Sequence, residues 1–166
     1  MRAHPTIDAL DLPRQRIVLA LVLAGYDASG LAVDLTDHGA EEDFELALER
    51  PDGNELVVAY RAETRRFEID EILPAELTSG RLEPALILNA TVTGHARIAL
   101  WPQSGCLVVQ ASLSDEHASV AELADELTDV AMLAHALRQV TQTAADDAAD
   151  LAAQTPAAAL SQYMRG

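Results

Sequence analysis

No lysine occurs anywhere in these 166 residues; all 11 basic side chains are arginine. That absence removes Schiff-base chemistry, the phosphate-loop lysine and the kinase lysine from consideration. Cysteine is almost missing as well. Cys106 stands alone, so no internal disulfide can form, which fits a reducing compartment. It opens an apolar strand and reads as a small buried hydrophobe. Aromatic residues make up only 4%, which makes the single tryptophan, Trp101, conspicuous. The apolar run from Ile17 to Gly25 falls short of the roughly 20 residues that a membrane span needs. It also lies behind Asp8 and Asp11 without a convincing cleavage pattern, so the expectation is a cytoplasmic protein with no membrane insertion.

Acid is abundant: 27 Asp and Glu against 11 Arg give a formal charge of −16. Repulsion from phosphates makes nucleic acid and anionic membranes poor partners. The five histidines, His4, His38, His95, His117 and His135, never stand three or four residues apart, and no H-E-x-x-H or C-x-x-C occurs. No metal and no cofactor are therefore expected. Asp146, Asp147 and Asp150 cluster, but without the glycine and terminal glutamate of a calcium loop they read as a solvated face. Cys106 and His95 could meet as nucleophile and base, yet nothing nearby in sequence would lower the thiol pKa, and ordinary packing is the better reading. No constellation supports an enzyme.

Organisation is easier to read than chemistry. Residues 1–12 form an N-terminal arm, 13–141 an α+β domain, and 142–166 an Ala/Asp-rich C-terminal tail that is frayed or partly helical. Pro13 suits a helix start, and Ile17, Val18, Leu21 and Val22 follow at helical spacing. An acidic connector around Thr36-Asp37-His38-Gly39 comes next. The period then changes to two: strands are predicted from Phe44, over Glu55–Ala62 and over Phe67–Ile72, with Arg50-Pro51-Asp52-Gly53-Asn54 as the first turn. A short helix opens at Arg81 and ends before Gly94. Strands Ala96–Trp101 and Cys106–Leu113 flank the four-residue loop Pro102-Gln103-Ser104-Gly105. Ser119 and Glu122 form a capping box ahead of an apolar stripe of Val120, Leu123, Leu127, Val130, Ala134, Leu137 and Val140. The order is helix, three strands, helix, two strands, helix: an antiparallel twisted sheet packed by helices.

By alternation, Leu46, Leu56, Val58, Ile98, Leu100, Leu107, Val109 and Leu113 build the face covered by helices. Ala47, Val57, Ala59, Ala99, Trp101 and Val108 fall on the other, a face more apolar than a solvated sheet requires. Three accounts stand: cover by the tail or a subunit, a surface for an extended peptide, or a register slip that reverses the faces.

The element order, the acidic chain, and the stretch Leu86-Ile87-Leu88-Asn89 through Thr93-Gly94 into Ala96-Arg97-Ile98-Ala99-Leu100 resemble class I type III secretion chaperones of the Tir-chaperone type. In that family a short second helix leads through a Thr-Gly turn into a strand, a Pro-x-x-Gly turn and another strand; here the turn is Pro102 to Gly105. The resemblance spans roughly residues 13–140. It implies a non-enzymatic homodimer that binds the N-terminal, non-globular segment of a secreted effector protein. Two departures stand out: Trp101 occupies a position often acidic in the family, and the tail is longer than usual. The apolar residues of the second helix, Leu82, Leu86, Ile87, Leu88 and Val92, are the expected dimer interface. The alternatives are a YbjN-like regulatory or structural protein-binding domain and, third, an enzyme.

Overall fold

The computed structural model describes residues 12–27, 43–74, 82–91 and 94–153. At residues 82, 84, 144, 145 and 148–153 it describes the backbone alone. The 1–11 part of the arm, the connector around His38, Arg81, Val92, Thr93 and residues 154–166 lie outside it. Among the described residues the order is α1 (Pro13–Leu23), β1 (Phe44–Glu49), β2 (Glu55–Arg61), β3 (Arg66–Ile72), α2 (Leu82–Thr91), β4 (Arg97–Leu100), β5 (Leu107–Ser114), a single 3-10 turn (Asp115–His117) and α3 (Val120–Ala153). The α+β class and the element order agree with the reading of the sequence, and each strand boundary falls within about one residue of its expected place.

The strands form one antiparallel sheet in the order β1-β2-β3-β5-β4. Local hairpins make β1-β2-β3 and β4-β5. Gly53 (φ 84°) and Gly105 (φ 68°) take the left-handed backbone that the first and last of these turns require. The two pieces are joined by a non-local ladder in which Phe67 faces Leu113, Ile69 faces Ala111 and Glu71 faces Val109.

Alternation puts Leu56, Val58 and Tyr60 of β2, Phe67 and Ile69 of β3, and Val109, Ala111 and Leu113 of β5 on one face, all buried. The Tyr60 and Phe67 rings pack against each other tilted by 51°, with centroids 5.0 Å apart. Ile17, Ala20 and Leu21 of α1 and the α3 stripe close over this face. Leu100 shares it by register but lies exposed at the end of the short edge strand, where helical cover stops.

Ser119 caps α3 as expected. Its N–H donates to Glu122 Oε2 (2.9 Å) and its Oγ accepts from the Glu122 N–H (3.2 Å). These hydrogen bonds hold the Glu122 carboxyl below its usual range. Leu123, Leu127, Val130, Ala134 and Leu137 are buried, but Val140 is 36% exposed. Alternating steps of three and four place the next core position at Thr141, which is buried and donates its hydroxyl to the Leu137 carbonyl (2.9 Å). The helix continues without a break past residue 141 to Ala153.

Arg16 fastens α1 to the β5–α3 connection. It donates to the Ala118 carbonyl (3.0 Å), pairs with Asp115 and lies 5.0 Å over the Phe67 ring. Burial pushes the Asp115 carboxyl up, but Arg65 and Arg16 together outweigh it and hold the group below its usual value. At the other end of the sheet, the Asn89 side-chain oxygen of α2 accepts the Ile98 N–H of β4 (2.9 Å).

Leu127 is 1% exposed at the centre of the α3 contact. Leu127→Asp would strand a charge there at a cost of several kcal/mol. The expected result is loss of the cooperative thermal transition near the wild-type midpoint, measured by circular dichroism.

Candidate functional site: the open face of the sheet

Among the described residues the helices cover one face and leave the other to its own side chains, which the register arranges in rows across the strands. One row runs Ala47, Val57, Asp70, Gln110, Arg97. A second runs Glu45, Ala59, Glu68, Ser112, and a third Glu49, Glu55, Ile72, Val108, Ala99. Ala47, Val57, Ala59, Ala99 and Val108 therefore lie together on this face. Their exposure differs. Ala47 is exposed and Val57 and Ala99 are half-buried, whereas Ala59 and Val108 are closed in and form floor rather than contact area. Trp101 follows β4 directly. It starts the hairpin loop, its N–H donating to the Cys106 carbonyl (2.9 Å) and its own carbonyl accepting from Gly105 (2.8 Å). The indole, 38% exposed, lines an open groove of about 850 Å³ together with Val57 and Ile72.

The face is more polar than the expected apolar surface, because β3 contributes Glu68 and Asp70 between its buried residues. Arg61 bridges Glu45 (2.7 Å) and Glu68 (3.0 Å), and those two hydrogen bonds hold its guanidinium more firmly protonated. Such exposed pairs contribute little, about 0–1 kcal/mol each. Arg66 donates to Ser112 Oγ (2.8 Å), and Arg97 donates to the Ala96 carbonyl (2.6 Å). Asp70 is different. Burial, reinforced by Glu68, pushes its carboxyl up to about 6, against which a hydrogen bond from Gln110 and the Arg61 charge are too weak.

The expected dimer residues occupy another surface. Leu86 and Ile87 of α2 are 68% and 63% exposed, Leu88 is half-buried, and Met132 and Val140 of α3 are exposed nearby. Glu83, Ile87, Leu88, Thr91 and Val140 line a shallow cleft of about 300 Å³. Leu82 lies in α2 with its side chain undescribed, and Val92 lies outside the described residues.

Sequence reasoning missed a buried polar network on the covered side. Glu71 and Asn54 are each 1% exposed. Asn54 Nδ2 donates to Glu71 Oε1 (2.7 Å), Arg138 of α3 donates to Asn54 Oδ1 and the Asp52 carbonyl, and Arg50 donates to the Tyr26 hydroxyl (2.9 Å). Desolvation raises the Glu71 pKa. The signal was present: Glu71 falls in step with Phe67 and Ile69. Among the described residues no three His, Cys, Asp or Glu side chains converge to hold a metal, and no helix is long and apolar enough to cross a membrane. His95 Nδ1 lies 3.1 Å from Glu126 Oε2, while Cys106 is half-buried in the hairpin loop, one residue before β5.

No family model and no curated protein matches the sequence. Among solved structures, the chain is similar to one in the ExoT–SpcS complex from Pseudomonas aeruginosa, at 12% identity and a TM-score of 0.47, covering 78% of this chain and 97% of that one. It is also similar to a chain of the HopA1–SchA chaperone–effector complex, at 18% identity and a TM-score of 0.45, with 84% and 99% covered. A third is in the ExsC–ExsE complex, at 13% identity and a TM-score of 0.43, with 70% and 90% covered. The likeness is one of fold.

Asp70 generates a test. Because its folded carboxyl keeps a proton to higher pH than the unfolded one, stability falls as pH rises from about 4 to about 6. Asp70→Asn removes that contribution. The variant should gain stability over wild type at pH 7, and the gain should shrink toward zero at pH 4 in paired urea titrations.

Proposed function

We propose that this chain is a cytoplasmic chaperone that binds the N-terminal, non-globular segment of a type III secreted effector and keeps it soluble and secretion-competent, without enzymatic activity. One observation carries the reading: among the described residues, a five-stranded sheet packed by helices on a single face, with Trp101 half-open beside a groove on the other. An unfolded segment loses ordering entropy when it binds, so its carrier must offer a broad surface with a few strong anchors. Trp101 is that anchor, since tryptophan gives large contact area with little rotamer entropy to lose. Ala99 on the same edge and, toward the opposite edge, Val57 and Ala47 supply shallow apolar contacts across the face, and Ala59 and Val108 keep the floor flat. The charge of −16 keeps such a carrier soluble. The element order and the residues around Asn89 that resemble secretion chaperones add to this support.

The same reading makes the chain a homodimer through α2. Leu86 and Ile87 form its centre with Leu88 beside them, Leu82 and Val92 belong to it on the sequence pattern alone, and an obligate interface would bury upward of about 2,000 Å². Light scattering at micromolar concentration should give a dimer for wild type and for a chain lacking residues 142–166. Ile87→Arg should give a folded monomer.

Co-purification from the native cell should bring down one dominant large protein whose N-terminal segment is protected from protease. Trp101→Ala should weaken binding of that segment by about 2 kcal/mol or more, typical of a hot spot, while leaving the thermal midpoint nearly unchanged. A large stability loss with undiminished binding by the folded fraction would assign Trp101 to internal packing and overturn the reading.

A further inference from the structure

The open face carries more negative charge than its own arginines neutralise. Glu45 and Glu68 share Arg61, and Arg97 gives hydrogen bonds to the backbone carbonyls of Gly94 and Ala96. Glu55 and Asp70 also line the groove, and no ion pair joins either to a cation among the described residues. Glu55 stands directly across from Glu49, a like-charge pairing that a sheet tolerates only at a cost. In the next row Asp70 sits beside Glu68, and burial together with that neighbouring charge pushes its carboxyl up to about 6. Val57 and Ile72 lie between these carboxylates, and Trp101 lines the same groove. An apolar floor edged with underpaired carboxylates and an aromatic ring fits one kind of chain best.

We propose that the groove binds an extended polypeptide stretch in which arginine or lysine recurs at every second position, the cations meeting Glu55 and Asp70 and their aliphatic stems resting on Val57, Ile72 and Trp101. This rests on the chaperone reading and specifies the chemistry of the segment it would carry. Alternation follows from strand geometry, because successive side chains of an extended chain point to opposite sides and a cation at every second position meets one face repeatedly. At about 4.8 Å per strand the five strands span roughly 19 Å, the reach of about six extended residues. Trp101 adds cation–π attraction for an arginine passing over its face. An arriving cation relieves both the Glu49–Glu55 repulsion and the strained ionisation of Asp70, so binding at pH 6 releases protons.

Three ten-residue peptides test this. They share valine at alternate positions and carry Arg, Ser or Glu at the others. Trp101, the single tryptophan, reports occupancy by its own fluorescence at low ionic strength. The Arg peptide should bind at least tenfold more tightly than the Ser peptide, and the Glu peptide least of all. Glu55→Gln with Asp70→Asn should abolish most of that preference. Asp146→Asn with Asp147→Asn, which removes the same charge from exposed positions on α3, should leave it intact. Equal affinity for the Ser and Arg peptides, or a preference that survives the groove double variant, would overturn the inference while leaving the chaperone reading in place. If none of the three binds, the groove does not accept extended chain and both fall.

Discussion

The antiparallel ladder between β3 and β5 is the contact on which the rest depends. Without it the chain would hold a three-stranded meander and a separate hairpin, the latter too small to stand alone. With it, Phe67, Ile69, Val109, Ala111 and Leu113 become one continuous surface, and α3 has something wide enough to lie on. The ladder also brings Asp115 to Arg65 and Arg16, so α1 is locked to the same joint. Since it joins segments about 40 residues apart, it must close a long loop before its contacts are rewarded, and its formation should limit the folding rate.

One-sided packing follows from that geometry. The helices come at the beginning, middle and end of the chain, and α1 and α3 settle on the same side. Among the described residues the far side is consequently finished with short side chains, carboxylates and arginines rather than a second layer. Small residues are as informative there as large ones. Ala59 and Ala47 leave the surface low, so Trp101 and the longer charged groups stand as walls about a floor.

The sequence made the elements legible because the causes are local. Alternation from Phe44 to Glu49, the Ser119–Glu122 cap and the glycines of the turns all act within a few residues. It also separated the two faces correctly, since side-chain direction along a strand depends only on period. What it hid was non-local. The insertion of β5 between β3 and β4 has no signature in either segment. The closing-in of Val108 depends on neighbours from other strands, as does the loss of cover over Leu100. Glu71 was visible as an acid at a core position, but its acceptance there rests on Asn54 from a turn and Arg138 from α3, which no spacing rule connects. At α3 the stripe was followed one residue short: the rhythm of threes and fours runs on to Thr141, a polar residue that satisfies its hydroxyl on its own helix.

Asn89 gives the sheet unequal borders. A free strand edge is a row of unmet donors and acceptors that invites a neighbour of the same kind to continue the ladder. On β4, the Ile98 N–H is already taken by the Asn89 side chain, so a helix stands guard over that border. A protein with exposed leucine and isoleucine on α2 and a tryptophan on its open face risks self-association into fibrils. Withdrawing a backbone donor from one edge interrupts head-to-tail growth at that edge, whatever else the surface is free to touch.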